Sequence, residues 1–258
     1  MKFFEYLARL LYPPRCVSCA EILPIGQQDG LCEACAPVYA LNIYDECGVC
    51  VHPMSECECP NRYLKRNNIH RCGKLFKYTP ANNDDVTNRI IFRLKKSNSR
   101  AVAQFLAREL SPVVLRLAGK DKEKFVLVGP PRSKSSLRRY GYDHIELLCK
   151  ELSRITGIPY VKALRRAGNE GQQKEKTKKE RVAAASVSYI PAPNVSLKGK
   201  RVILVDDIVT SGATIVACAK ALRKIGAKTI HCATPGFNYQ YRQIFKNVVL
   251  MAKIKNYC

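Results

Sequence analysis

Carboxylates are scarce in this 258-residue chain: 21 Asp and Glu stand against 44 Lys and Arg, a formal net charge of +23. Such an excess disfavours cationic partners and points to phosphates, on a small substrate or along a nucleic acid. Long apolar runs are missing too, and no stretch reaches the roughly 18 residues that a membrane-spanning helix needs. Two phosphate-binding signatures, GxxxxGK[ST] and GxGxxG, are also lacking, which sets aside the P-loop and the dinucleotide fold. The opening residues MKFFEYLARLLYPP lack the features of a secretion signal: Glu5 and Arg9 interrupt the apolar core, and no small-residue cleavage site follows. Phe3, Phe4, Leu7, Leu10 and Leu11 read instead as one face of a short helix packed on the body, and the expected location is the cytoplasm.

The charge that is present is unevenly spread. Residues 1–72 hold 7 Lys/Arg and 8 Asp/Glu, leaving 37 and 13 to residues 73–258. A near-neutral head and a strongly basic body are therefore expected, with the boundary at 72/73. The length suits one α/β domain plus a smaller module.

The head is dense in cysteine. Nine of the 13 cysteines precede residue 73. Cys16, Cys19, Cys32 and Cys35 form two C-x2-C knuckles, the spacing of a closed tetrahedral thiolate site for zinc. Cys47 and Cys50 make a third knuckle. Cys57 and Cys59 are one residue apart and complete a second set, with Cys72 as the alternative to one of them. A reducing compartment disfavours disulfides. Four-thiolate sites leave no open position, so two structural zinc ions are expected, stapling a head of limited core. Cys149, Cys218 and Cys232 sit in apolar-periodic surroundings and read as core.

The body centres on RVILVDDIVTSGAT, residues 201–214. Val202–Val205 is a continuous apolar run, as in a parallel strand buried on both faces. Ile215, Ala219 and Leu222 fall at i, i+4 and i+7, a helix stripe that Gly226 ends. In a strand–loop–helix unit, ligands bind beyond the carboxyl end of the strand. The small residues Thr210, Ser211, Gly212, Ala213 and Thr214 let backbone N–H groups face a phosphate beside a helix N-terminus. Asp206 and Asp207 would repel that phosphate; they suit ribose hydroxyls or a bound metal. The stretch asks for a sugar phosphate.

Other elements frame it. Residues 84–118 fit two helices broken near Ser97–Ser99. Phe125–Gly129 is a strand candidate, running into a loop that carries Arg132, Lys134, Arg138 and Arg139. Asp143 and Glu146 form a capping-box variant for a helix that Gly157 ends. Tyr160–Leu164 reads as a strand, Arg165–Arg181 as a polar hood, Val187–Ile190 as a short strand and Thr229–Thr234 as another.

Apolar residues, then DD, then SGAT three residues on, resemble the diphosphate-sugar fingerprint of type I phosphoribosyltransferases. Together with CVSC, CEAC, CGVC and the departing CEC, the chain resembles the ComF (ComFC, amidophosphoribosyltransferase-like) family over nearly its whole length. NRIIFRLKKSNSR is similar to the family segment after the head, with Lys95 in its lysine position. LRRYGYDHIELL resembles the Arg-x-Arg-Gly-Phe-Asn stretch, with Tyr140 for the second arginine and Asp143 for the asparagine; Gln173 and Arg181 are similar to hood residues.

The resemblance implies a type I phosphoribosyltransferase-like parallel sheet flanked by helices, with a zinc-ribbon head. It implies a site for 5-phosphoribosyl 1-diphosphate with Mg²⁺, in a protein linked to DNA uptake, competence and the handling of incoming single strands, with DNA-uptake or recombination proteins as partners. On that reading Asp206 and Asp207 meet the ribose hydroxyls and residues 210–214 the 5-phosphate. Arg132, Lys134, Arg138 and Arg139 face the diphosphate. Three readings stand at this point: an active transferase, a silent DNA- or partner-binding protein that retains the sugar-phosphate site, and a nucleobase-salvage enzyme. The net positive body, with Tyr140, Tyr142, Tyr239 and Tyr241 for stacking, suits single-stranded DNA.

Overall fold

A computed structural model describes residues 12–24, 27, 30–80, 85–167 and 189–238. The expected helix at 3–11, Gln173, Arg181, Tyr239 and Tyr241 lie outside the described residues.

A parallel sheet organises the body. Its strands are β1 (Cys72–Lys77), β2 (Phe125–Val128), β5 (Arg201–Val205), β6 (Ile208–Val209) and β7 (Ile230–Phe237), in the order β1–β7–β5–β2 with β6 beside β7. All the pairings are parallel. The apolar runs are explained by burial on both faces. Phe125, Leu127, Ile203 and Val205 enter one core, and Val126, Val128, Val202 and Leu204 enter the other. That is the period-2 alternation of a strand with no solvent face.

Four helices cover these faces. α3 (Val86–Lys96), α4 (Arg100–Ala118) and α6 (His144–Thr156) take the first, and α7 (Ala213–Arg223) the second. The break between α3 and α4 falls where expected, with Ser99 capping α4 through the Val102 N–H. Gly73 lets β1 approach α4 closely, since a Cβ there would stand 2.3 Å from Val113 Cγ1.

The head contributes α1 (Cys35–Tyr44) and α2 (Arg62–Arg66) and wraps the β1 edge of the sheet. Val17, Leu31 and Tyr39 join the first core, whereas Met54, Leu64 and Ile69 join the second. An exposed edge strand would present unpaired backbone groups. Here Cys72 N–H donates to Glu58 O at 2.8 Å, and the buried Lys74 ammonium reaches Cys59 O at 2.5 Å.

Three sequence expectations change. The segment after β2 is not all loop: Lys134–Tyr140 is a helix, α5, because Ser133 caps it and Gly141 takes the left-handed conformation (φ 76°) that ends it. Tyr160–Leu164 does not form a strand. Only Tyr160 bridges to Leu127, and the chain then turns into β3 (Leu164–Arg166), antiparallel to β4 (Tyr189–Pro191). The capping box is half formed: Asp143 accepts from Ile145 N–H and Glu146 N–H, but the Glu146 carboxylate turns outward to Lys150 and Lys162.

Candidate functional site

The site lies where β5 ends. Asp206 N–H still donates to Ala233 O on β7, so the sheet holds the first carboxylate in place. The two aspartates then part company. Asp207 is buried, and its Oδ2 meets His144 Nε2 at 2.5 Å and Lys95 Nζ at 3.3 Å. Burial alone would raise its carboxyl, but the hydrogen bond from His144 and the Lys95 charge outweigh it and hold the group below the usual range. Asp206 is half-buried, and its Oδ1 accepts the Asp207 N–H at 3.0 Å. Desolvation, and then the neighbouring Asp207 charge, push its carboxyl well above the usual range. One carboxylate is thus fixed inside a charge cluster, and the other stands at the strand end without a cation of its own among the described residues.

His144 carries no sequence signal for this role. As a polar residue at a helix start it reads as solvated, yet the N-terminus of α6 points it at a carboxylate 63 positions away. Its Nδ1 is buried and has no partner among the described residues. Lys95, in the last turn of α3, stands where the family resemblance puts a lysine.

Arg132 is occupied differently from expectation. Its guanidinium donates to Tyr142 O at 3.1 Å and Lys95 O at 2.9 Å, and it stacks over Tyr140, 4.4 Å from the ring centroid. Its own N–H donates to Asp143 Oδ2. Arg132 therefore ties α3 to the start of α6. Tyr142 donates its hydroxyl to Leu94 O at 2.8 Å, which fixes it as a packing residue rather than an open stacking platform. Lys134, Arg138 and Arg139 are exposed on α5, with Arg139 against the Tyr140 ring.

The loop 210–214 runs from β6 into α7, with Gly212 at the helix N-cap. Its glycine is required, but from beneath. Gly212 has φ +86°, and a Cβ there would lie 2.8 Å from Leu64 Cδ2 of the head. The loop rests on the head through this contact.

The head contains two groups of four thiols. Cys16, Cys19, Cys32 and Cys35 converge, as do Cys47, Cys50, Cys57 and Cys59, with all sulfurs of a group within 4.8 Å of one another. Four thiolates around zinc stand about 3.8 Å apart at Zn–S bonds of about 2.3 Å, and Cys19 Sγ and Cys32 Sγ are 3.6 Å apart. Donor type and spacing both fit, so either cluster could hold zinc. At Cys16, N–H groups of Cys32, Cys19 and Ser18 overcome the upward push of burial and bring the thiol down to about 7. Cys72 is not part of the second group: it lies inside β1, registered against Cys232. Cys149, Cys218 and Cys232 are fully buried core, as read.

Comparison with known proteins agrees with this geometry. The phosphoribosyl transferase domain profile matches residues 146–243, from α6 past β7. Competence protein F of Haemophilus influenzae is 26% identical over 247 residues, 89% of this chain and 96% of that protein. DNA utilization protein YhgH of Shigella flexneri is 26% identical over 219 residues, 78% and 94% of the two chains. A ribose-phosphate pyrophosphokinase of Thermococcus kodakarensis shares a segment of 53 residues at 45% identity, 20% and 19% of the chains. The near end-to-end matches, the transferase domain and the two four-cysteine clusters bear out the ComF resemblance. No helix among the described residues is long and apolar enough to cross a membrane.

Proposed function

We propose that this homologue of Competence protein F and of DNA utilization protein YhgH binds 5-phosphoribosyl 1-diphosphate with Mg²⁺ at the carboxyl end of β5. The observation that carries the reading is the unequal pair, with Asp207 locked onto His144 and Lys95 while Asp206 stands at the strand end beside the 210–214 loop. Ribose hydroxyls donate to carboxyl oxygens, and a bound cation would favour the charged form of Asp206 against the upward push of burial and Asp207; Asp206 thus takes the sugar, and Asp207 holds the His144 and Lys95 side chains behind it. The 5-phosphate lies over the loop, at the N-terminus of α7. Lys134, Arg138 and Arg139 on α5 supply positive charge for the diphosphate, and Arg132 positions that segment. Asp206 would hold Mg²⁺, and the ion would supply positive charge against the charge that develops on the leaving group. A head over 1–72, stapled by two structural zinc ions in its four-cysteine clusters, supports a basic body over 73–258.

Calorimetry with the diphosphate sugar and Mg²⁺ tests the site. Saturable binding by the full chain is expected, and Asp206→Ala should weaken it about tenfold, the equivalent of 1.4 kcal/mol. No heat at millimolar ligand overturns the assignment. Diphosphate release in the presence of candidate acceptors separates turnover from retention of the ligand.

The second half of the reading is that the protein works in the cytoplasm on incoming single-stranded DNA. The names of the two relatives and the 37 Lys/Arg of residues 73–258 support it. With Tyr142 packed, it drops out of the stacking set, and charge supplies the salt-dependent part of the contact. The affinity for a labelled single strand, read by fluorescence anisotropy, should then fall steeply with salt, with a log–log slope of about −0.7 per phosphate contacted. Flat salt dependence would contradict it.

A further inference from the structure

We propose that Asn61, a residue of the head, is a positioning residue of the ligand loop. The inference rests on the reading of residues 210–214 as a phosphate cradle. Asn61 stands two positions beyond Cys59, where the chain leaves the second four-cysteine cluster. Its amide is used at both ends. Oδ1 accepts the Leu64 N–H at 2.8 Å and caps α2; Nδ2 donates to Thr210 O at 3.2 Å and Ser211 O at 3.1 Å. These partners fix the amide orientation, because a flipped group would set oxygen against two carbonyls and nitrogen against an N–H.

The consequence for the loop follows from peptide geometry. In a trans peptide the C=O of one residue and the N–H of the next point in opposite directions. Holding the carbonyls of Thr210 and Ser211 down on Asn61 turns the N–H groups of Ser211 and Gly212 the other way. Among the described residues neither of these N–H groups donates to a protein acceptor, in contrast to Ala213, whose N–H meets Ser211 Oγ at 3.3 Å. Two uncommitted N–H groups at the start of α7 are the donors an oxyanion needs.

The support beneath Asn61 is firm. Leu64 is fully buried against Gly212. Arg223 of α7 donates to Asn67 O at 2.8 Å and Asn68 O at 3.2 Å, closing the far end of the segment. At the near end Lys74 of β1 holds Cys59 O. Segment 59–68 is therefore a strap anchored on the sheet and on α7, with the loop across its middle.

Asn61→Asp separates capping from positioning. The carboxylate keeps an acceptor for Leu64 N–H but faces the Thr210 and Ser211 carbonyls with oxygen in place of a donor. Asn67→Asp is the control, since among the described residues the Asn67 side-chain amide donates to Tyr63 O, within the same strap, and not to the loop. The measurements are calorimetric affinity for 5-phosphoribosyl 1-diphosphate with Mg²⁺, amide hydrogen exchange of residues 210–214 without ligand, and melting temperature, all on the full chain. Asn61→Asp should lose about tenfold or more in affinity and exchange faster in the loop, while both variants stay folded at the temperature of the assay. Asn67→Asp should leave affinity and loop exchange unchanged. Wild-type affinity and wild-type loop exchange in a folded Asn61→Asp would overturn the role of Asn61. If the wild type binds no ligand, the sugar-phosphate reading fails; faster loop exchange in Asn61→Asp would still support positioning of the backbone, and unchanged exchange would refute it.

Discussion

The two four-cysteine clusters of the head offer the same donors and lead to different places. The first faces α3. Arg89 reaches Cys35 Sγ at 3.9 Å and Ser18 Oγ at 3.1 Å, and the Arg93 guanidinium donates to Cys16 O. The second opens into the strap that carries Asn61 and Leu64 under the loop. Both therefore touch an element of the site, since α3 also bears Lys95. The difference is in how many other anchors each element has. α3 is capped by Asp85, buries Ile90, Ile91 and Leu94, and receives Arg132 and Tyr142 on its last carbonyls. The loop is backbone and small side chains, and its floor is the strap. A four-thiolate motif thus says where a metal staple could sit; what such a staple would support depends on what else holds the neighbouring element.

The largest effect is expected where strap and loop touch. Gly212→Val puts a β-branched residue at φ +86° with its Cβ 2.8 Å from Leu64 Cδ2. It should abolish ligand binding and lower the melting temperature by several degrees, as a strained position of this kind costs about 1–3 kcal/mol before any clash. Calorimetry and thermal unfolding read both. Tight binding by this variant would mean that the loop does not depend on the head.

The carboxylate side should respond through charge instead. Asp207→Asn removes the charge that Lys95 and His144 meet and should cost about 2 kcal/mol at neutral pH, the range for hydrogen bonds to charged groups. The pH dependence fixes the cause. A carboxyl held below its usual range in the folded state contributes stability above that range and loses it as pH falls through the lowered value. The gap between wild type and Asp207→Asn in denaturant unfolding should close on acidification below the usual carboxylate range. A gap independent of pH would assign the loss to packing.

Much of this arrangement is legible from the chain alone, and the illegible part is specific. Val202–Val205 reads as a doubly buried strand because it has no polar alternation, and the C-x2-C spacings read as closed sites because a tetrahedral metal needs that bite. The two-helix break at Ser97–Ser99 carries its own capping residue. Contacts over long sequence separations leave no such mark. Nothing near His144 announces Asp207, and nothing near Asn61 announces a loop 149 positions on. Arg132 misleads for the opposite reason: an arginine beside a proposed anion site reads as a ligand contact, but a planar five-donor group serves equally well to bind backbone carbonyls. Gly212 reads as one of several small loop residues, while the group that demands a glycine there, Leu64, belongs to the head.

The most direct test sets the two clusters against each other. Cys19 and Cys50 are the more solvent-accessible partners within their C-x2-C knuckles, so Cys19→Ser and Cys50→Ser are matched lesions. Metal analysis should show the loss of about one zinc in each. Calorimetry with 5-phosphoribosyl 1-diphosphate and Mg²⁺ should then show near wild-type affinity for Cys19→Ser and a loss of about tenfold or more for Cys50→Ser, with loop 210–214 exchanging faster only in the latter. Equal affinities in the two folded variants, or a greater loss in Cys19→Ser, would contradict the claim that the second cluster holds the strap that is the floor of the ligand site.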